Sequence, residues 1–322
     1  MDGKIMISRR LFISLLAAFL FLLAADRAFA YKVTPLKHLF DIEHGFLQPS
    51  DVAIGKDLRI YVLDGVNSQV KVFDEIGAFL FSFGNKGSAK GLFESPLGVA
   101  TDSTGRVFVA DTGNRRVQIF APDGKVLNEF SIQAAKGSQH PCDPVDLALD
   151  EQRNRIYVVD NDNHQVLLYS LDKFSFLESW GKEGDGRQDF RYPFFIAVGK
   201  DRIVLVVDVI NTRVQAWDPR GKAMSTIGEW GVDIGQLFRP KGVCVDSGNR
   251  VFVSDSYLGA IQVFNRYGSF LSVLGDESGK IMKWKSPVGI AIDYRQRLYV
   301  VDMIANRVSV YQILEIDLEV AK

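Results

Sequence analysis

Six prolines set the frame of this chain. Pro49, Pro96, Pro144, Pro193, Pro240 and Pro287 stand 47, 48, 49, 47 and 47 residues apart. Fifteen or sixteen residues after each comes an aspartate: Asp64, Asp111, Asp160, Asp208, Asp255 and Asp302. Six residues beyond each aspartate stands a β-branched residue (Val70, Val117, Val166, Val214, Ile261, Val308). A fixed period in the forties restricts the fold to a propeller or a solenoid, because each unit must bury its apolar faces against its neighbours.

The texture within one period shows what the unit is. In the second unit four short apolar runs follow one another: GVAT (98–101), VFVAD (107–111), RVQIF (116–120) and VLNEF (126–130). Turn residues divide them, among them Thr112-Gly113-Asn114 and Pro122-Asp123-Gly124. Such runs cut by Gly, Asn and Asp read as strands joined by hairpins. Runs like GVCV (242–245) are apolar on both faces, as in a sheet packed between two others. Four strands in a meander make a propeller blade.

The last unit contains three of its strands, near 288–293, 297–302 and 307–313, and lacks the fourth. The segment LKHLFDI (36–42) occupies the place of a fourth strand, and GFLQP (45–49) after it mirrors GLFESP (91–96) and GQLFRP (235–240). The N-terminal strand is therefore expected to complete the last blade, closing the ring and removing exposed edges. The expectation is an all-β, six-bladed β-propeller of four-stranded antiparallel blades, one domain over residues 31–322.

The first thirty residues are of another kind. Lys4, Arg9 and Arg10 precede the apolar run LFISLLAAFLFLLAA (11–25), and Ala28-Phe29-Ala30 follows. A basic start, an apolar stretch and an A-x-A site describe a signal peptide over 1–30, which predicts an exported, periplasmic or extracellular protein. The run is shorter than the roughly 20 residues of a membrane helix, so no span is expected after cleavage. SRRLFIS (8–14) resembles the twin-arginine export motif, whereas the strongly apolar stretch suits the general secretory route; both routes stay open. A net charge of −1 gives no broad electrostatic footprint for nucleic acid. Two cysteines, Cys142 and Cys244, are too few for a disulfide framework and show no zinc spacing; both are expected to be free.

The pattern P-x-[GD]-V-A … V-[YF]-V-x-D-x-x-N-x-[RQ]-V-x-x-F resembles the NHL-repeat family of six-bladed β-propellers over residues 32–313. Repeat 2, PLGVATDSTGRVFVADTGNRRVQIF, matches most closely, while repeat 5 departs with Leu258 and Ala260 at the Asn and Arg/Gln slots. The family hosts unrelated functions, so the fold does not fix an activity. A more distant resemblance to the peptidyl-amidoglycolate lyase propellers implies a calcium-binding aspartate two residues past the proline and zinc-binding histidines one residue past it. Asp51 and Asp146 occupy the first slot and are the candidate metal ligands, for Ca²⁺ in the central channel. The second slot holds Ser50, Leu97, Val145, Phe194, Lys241 and Val288, with no histidine, so a zinc lyase lacks its ligand set.

No catalytic constellation is present: there is no Ser-His-Asp order, no G-x-S-x-G, and only four histidines. The recurring aspartates are expected to be structural, accepting backbone N–H groups of the following turn and pairing with Arg116, Arg213 or Arg307. Antiparallel order places the turns after these aspartates on the same face as the long loops entering each repeat. This varied loop face is the expected binding surface, with Lys86, Lys90, Asn114, Arg115, Arg116, Asn163, His164, Phe195, Asn211 and Lys241 as candidate contacts. Trp180 and Trp230 end fourth strands and are expected in the core, and Trp284 is expected to wedge between blades. The expected function is an exported, non-catalytic scaffold that docks a protein, peptide or glycan, as a monomer or a subunit of a larger complex. The alternative is a divalent-metal-dependent lyase or hydrolase at the channel mouth.

Overall fold

The structure is a computed structural model that describes residues 31–133, 138 and 140–314. The expected signal peptide lies outside these residues. The compact unit beginning at Val33 is built from strands and single 3₁₀ turns. Strand β1 (Val33–Ile42) comes first. One four-stranded sheet follows, β2 (Pro49–Ile54), β3 (Ile60–Asp64), β4 (Gln69–Phe73) and β5 (Phe79–Phe83). The next holds β6 (Gly98–Thr101), β7 (Val107–Asp111), β8 (Arg116–Phe120) and β9 (Val126–Ser131). A third holds β10 (Pro144–Asp150), β11 (Arg155–Asp160), β12 (Gln165–Ser170) and β13 (Phe176–Trp180). A fourth holds β14 (Pro193–Val198), β15 (Val204–Asp208), β16 (Arg213–Trp217) and β17 (Ala223–Ile227). The remaining strands are β18 (Pro240–Val245), β19 (Val251–Asp255), β20 (Ala260–Phe264), β21 (Phe270–Asp276), β22 (Pro287–Ile292), β23 (Arg297–Asp302) and β24 (Arg307–Ile313).

The expectation of six separate four-stranded blades is corrected here. β18–β24 and β1 form one eight-stranded sheet, in the order β18-β19-β20-β21-β1-β24-β23-β22. The hydrogen-bonded architecture is therefore four four-stranded blades and one eight-stranded sheet. The cause is the length of β1 and its use of both edges. Its Leu36–Ile42 stretch pairs antiparallel with β24, from Leu36↔Ile313 to Ile42↔Val308, with a bulge between His38 and Phe40. Its Val33–Leu36 stretch also pairs parallel with β21, from Val33↔Val273 to Leu36↔Asp276. The buried Thr34 and Ser272 hydroxyls add a 2.6 Å hydrogen bond across that seam.

The innermost strands β2, β6, β10, β14, β18 and β22 pack side by side, with β22 against β2, around a channel of about 280 Å³. The apolar faces of consecutive repeats meet in compact cores. In one, Tyr157, Trp180 and Phe190 pack on Val204, Val206 and Trp217, and the Trp180 and Trp217 rings stack 5.8 Å apart. Trp284 wedges between the strands of repeats 5 and 6, its indole N–H donating to Tyr311 Oη at 3.2 Å. Cys142 and Cys244 are both free and buried.

A glycine closes each of three fourth strands for a steric reason. Gly84, Gly181 and Gly228 adopt φ of +84°, +88° and +82°. A Cβ there would fall 2.2 Å from Phe93, 2.4 Å from Phe190 and 2.3 Å from Leu237. These side chains are fully buried, so the glycine opens the slot that each one fills.

The loop face and the channel mouth

The repeated aspartate holds the loop face together. Asp111 is fully buried, and its carboxylate accepts the Glu94 N–H at 2.8 Å, the Asn114 amide at 2.9 Å, the Arg116 Nε–H at 2.8 Å and the Gln118 amide at 3.0 Å. Asp64, Asp160, Asp208 and Asp302 likewise accept an N–H from Leu47, Asp143, Arg191 and Lys285, each seventeen residues earlier; Asp255 accepts from Phe238 and Arg239. The aspartate thus ties the loop entering its repeat to the turn leaving the second strand, a wider role than capping the following turn alone. Arg213 pairs with Asp208 at 2.8 Å as expected. Arg307 turns instead to Asp41, at 3.3 Å, and in the first repeat, where Gln69 stands at the arginine position, Lys71 two residues on pairs with Asp64 at 2.8 Å.

This framework fixes where the expected contacts lie. Asn114 and Asn211 donate to Gly87 O and Gly184 O as well as to their aspartates. Asn163 exchanges hydrogen bonds with the His140 backbone and donates to Asp160. His164 is buried, and its Nδ1 accepts the Tyr192 N–H at 3.0 Å. Arg116 also reaches Glu129 and the carbonyls of Ala89 and Leu92. These side chains are engaged in closing their own repeats. Phe195 is buried where a core meets the channel. Lys90 and Arg115 are exposed, and Lys86 is exposed 3.5 Å from the Glu94 carboxylate. Lys241 is half-buried at the start of β18, its ammonium 4.6 Å above the Phe194 ring.

Asp51 and Asp146 sit deep in the channel wall, 6% and 3% exposed. Asp51 Oδ2 accepts the Val99 N–H of β6 at 2.9 Å, and Asp146 Oδ2 accepts the Ile196 N–H of β14 at 2.8 Å. The other oxygen of each lies over a glycine of the preceding repeat: a Cβ at Gly289 would be 2.5 Å from Asp51 Oδ1, and one at Gly98 would be 2.5 Å from Asp146 Oδ1. Each carboxyl is clamped between two neighbouring inner strands. Burial pushes Asp51 up to about 7, and burial together with the Asp51 charge pushes Asp146 well above the carboxylate range.

Calcium does not fit this pair. Ca²⁺ takes six to eight oxygen ligands, and the described residues contain no group of three or more His, Cys, Asp or Glu side chains able to hold a metal ion. One oxygen of each carboxyl already faces an N–H donor, whose dipole opposes a cation at that position.

Aromatic and apolar side chains give the loop face its character. Trp230 is 71% exposed, which corrects its expected place in the core. β17 ends at Ile227, and Trp230 lies beyond it in Gly228-Glu229-Trp230-Gly231, the counterpart of Gly84-Asn85-Lys86-Gly87. Aligned on those glycines, Trp230 occupies a lysine's slot, the signal that could have revealed its exposure. Phe238 stands 6.4 Å from Trp230 and 4.4 Å from the exposed Tyr257. Two residues after the repeated aspartate, four turns place Val66, Ile210, Tyr257 and Ile304 at their tips, all exposed, where repeats 2 and 3 have Gly113 and Asp162.

Sheets set around a channel, with loops gathered on one face, define the class as β-propeller. Within that class the chain carries NHL repeats: the NHL-repeat family profile matches residues 46–73, 93–120, 142–168 and 239–264. Human NHL repeat-containing protein 3 is 33% identical over 81 residues, 24% of this chain and 23% of that protein. Human E3 ubiquitin-protein ligase TRIM32 is 30% identical over 103 residues, 29% of this chain and 16% of that protein. The chain thus matches less than a quarter of the length of either relative. A solved gluconolactonase from Xanthomonas campestris superposes with a TM-score of 0.63 at 16% identity, covering 90% of this chain and 94% of that one. At that identity the likeness shows the fold alone.

Proposed function

We propose that this protein is a non-catalytic scaffold that docks a protein partner on its loop face after export from the cytoplasm. The observation that carries the reading is the set of turn tips Val66, Ile210, Tyr257 and Ile304, between 54% and 60% exposed. A turn tip in water gains nothing from a large apolar side chain, and exposed apolar surface on a rigid frame is what partner binding uses. The similarity to an E3 ubiquitin-protein ligase, an enzyme named for acting on proteins, agrees with a protein partner. Export rests on the basic start, apolar run and A-x-A site of residues 1–30. No helix among the described residues is long and apolar enough to cross a membrane.

The test is affinity capture from the extracytoplasmic fraction. The V66S/I210S/Y257S/I304S variant is expected to lose the protein captured by the wild type while unfolding at the same temperature. Undiminished capture overturns the docking surface. N-terminal sequencing of the exported protein is expected to begin at Tyr31, and recovery from the cytoplasm alone overturns export.

A further inference from the structure

Lys241 stands out among the cations of the loop face. It follows Pro240 at the loop-face end of the inner strand β18, half-buried, over the Phe194 ring. No ion pair holds it among the described residues, whereas the likewise half-buried Arg116 and Arg213 each have a carboxylate within 3 Å. Burial and the neighbouring Arg239 charge both pull its ammonium below the usual lysine range. An ammonium kept partly out of water and beside a second cation gains from an anionic ligand.

The backbone joins this cation to the aromatic cluster. Phe238, Arg239, Pro240 and Lys241 are consecutive, the chain bending at Phe238 and Arg239 before β18 begins, so the rim ring and the ammonium lie within about 10 Å of backbone of each other. Ser256 N–H donates to Arg239 O at 3.0 Å, which sets the Tyr257 turn alongside. The rings are inclined, Trp230 to Phe238 by 47° and Phe238 to Tyr257 by 44°. Inclined rings form a notch suited to an inserted side chain; a flat sugar would need one open aromatic face.

We infer that Phe194, Trp230, Phe238, Arg239, Lys241 and Tyr257 form the recognition sector for a peptide segment in which a carboxylate adjoins an apolar side chain. The carboxylate caps Lys241 and Arg239 at the start of β18, and the apolar side chain enters the notch at the rim. This inference rests on the loop-face docking proposed above and adds the sector and the chemistry of the partner. A peptide carboxylate comes from an Asp or Glu side chain or from a chain end.

A phage-displayed random heptapeptide library selected on the full chain tests it. Enriched peptides are expected to carry Asp or Glu beside Leu, Ile, Phe or Trp, or to end in a free carboxylate. Comparing each synthetic peptide as free acid and as amide separates the two sources. K241M keeps the stem over Phe194, removes the charge and is expected to weaken binding at least about tenfold, with unchanged thermal unfolding. Three results overturn the sector: no enrichment, enriched peptides without acids, or equal affinity for K241M. Peptides that bind K241M normally yet fail on V66S/I210S/I304S, which leaves Tyr257 and the rest of the sector intact, refute the sector and leave loop-face docking standing. Peptides indifferent to both variants count against docking on this face as well.

Discussion

Asp146 in β10 hands its carboxylate to the Ile196 N–H of β14 at 2.8 Å while its other oxygen rests over Gly98 of β6. One side chain thereby links three consecutive repeats, and Asp51 does the same between β22 and β6. Both carboxyls are raised above their unfolded value, Asp51 to about 7. Between about pH 4 and 7 the folded state therefore holds more protons than the unfolded chain, and stability falls as pH rises. The wild type is expected to lose melting temperature from pH 5 to pH 8 more steeply than D51N/D146N, measured by calorimetry. Parallel profiles refute the assignment.

The glycine beneath Asp146 gives a steric prediction. A Cβ on Gly98 would lie 2.5 Å from Asp146 Oδ1 and 2.6 Å from its Cα, so backbone must shift. G98A is expected to cost about 2–3 kcal/mol in urea unfolding, at the upper end for overpacking. G248A, whose nearest atom would be 3.4 Å away at the end of the Asp246 side chain, is expected to cost far less.

Adjacent arginines in repeat 2 separate structure from surface. Arg116 satisfies the fully buried Asp111, whereas Arg115 is exposed. R116A strands a buried carboxylate and is expected to destabilise by about 3–5 kcal/mol. R115A is expected to stay within about 0.5 kcal/mol of the wild type. Denaturant titration reads both.

Metal addition bears on the channel. With Asp51 and Asp146 engaged by backbone N–H groups, millimolar Ca²⁺ or its chelation is expected to leave the melting temperature unchanged. A Ca²⁺-dependent rise would return both residues to a ligand role.

The repeat, its strands and the destination of the N-terminal segment could be read from the chain, because period and alternation report which faces a strand buries. The fused sheet could not. Apolar patterning shows what Leu36 packs on, but not that β1 offers one edge to β24 and the other to β21. Antiparallel order in the sequence gathers the loops on one face, yet charge singles out Arg116 and Asn114, which close their own turns. Trp230 reads as the end of a fourth strand, whereas its flanking glycines align it with Lys86 in a turn. Side chains that bind and side chains that brace share one composition, and only their hydrogen-bond partners distinguish them.

Leu36 offers a direct test of the seam. It is 2% exposed and pairs with both Asp276 and Ile313. L36A is expected to cost about 2–5 kcal/mol. Hydrogen exchange should quicken together in Val273–Asp276 and Val308–Ile313, and faster exchange in only one of them would separate the two edges.

The double pairing of β1 also sets the order of assembly. Its partners lie more than 230 residues downstream, so a growing polypeptide holds this strand unmatched until β21 has been synthesised and with one edge open until β24 follows. Loop-closure entropy makes so remote a contact late and slow. Until then the first strand is a loose end that competing chains can capture, and aggregation during synthesis should concentrate there.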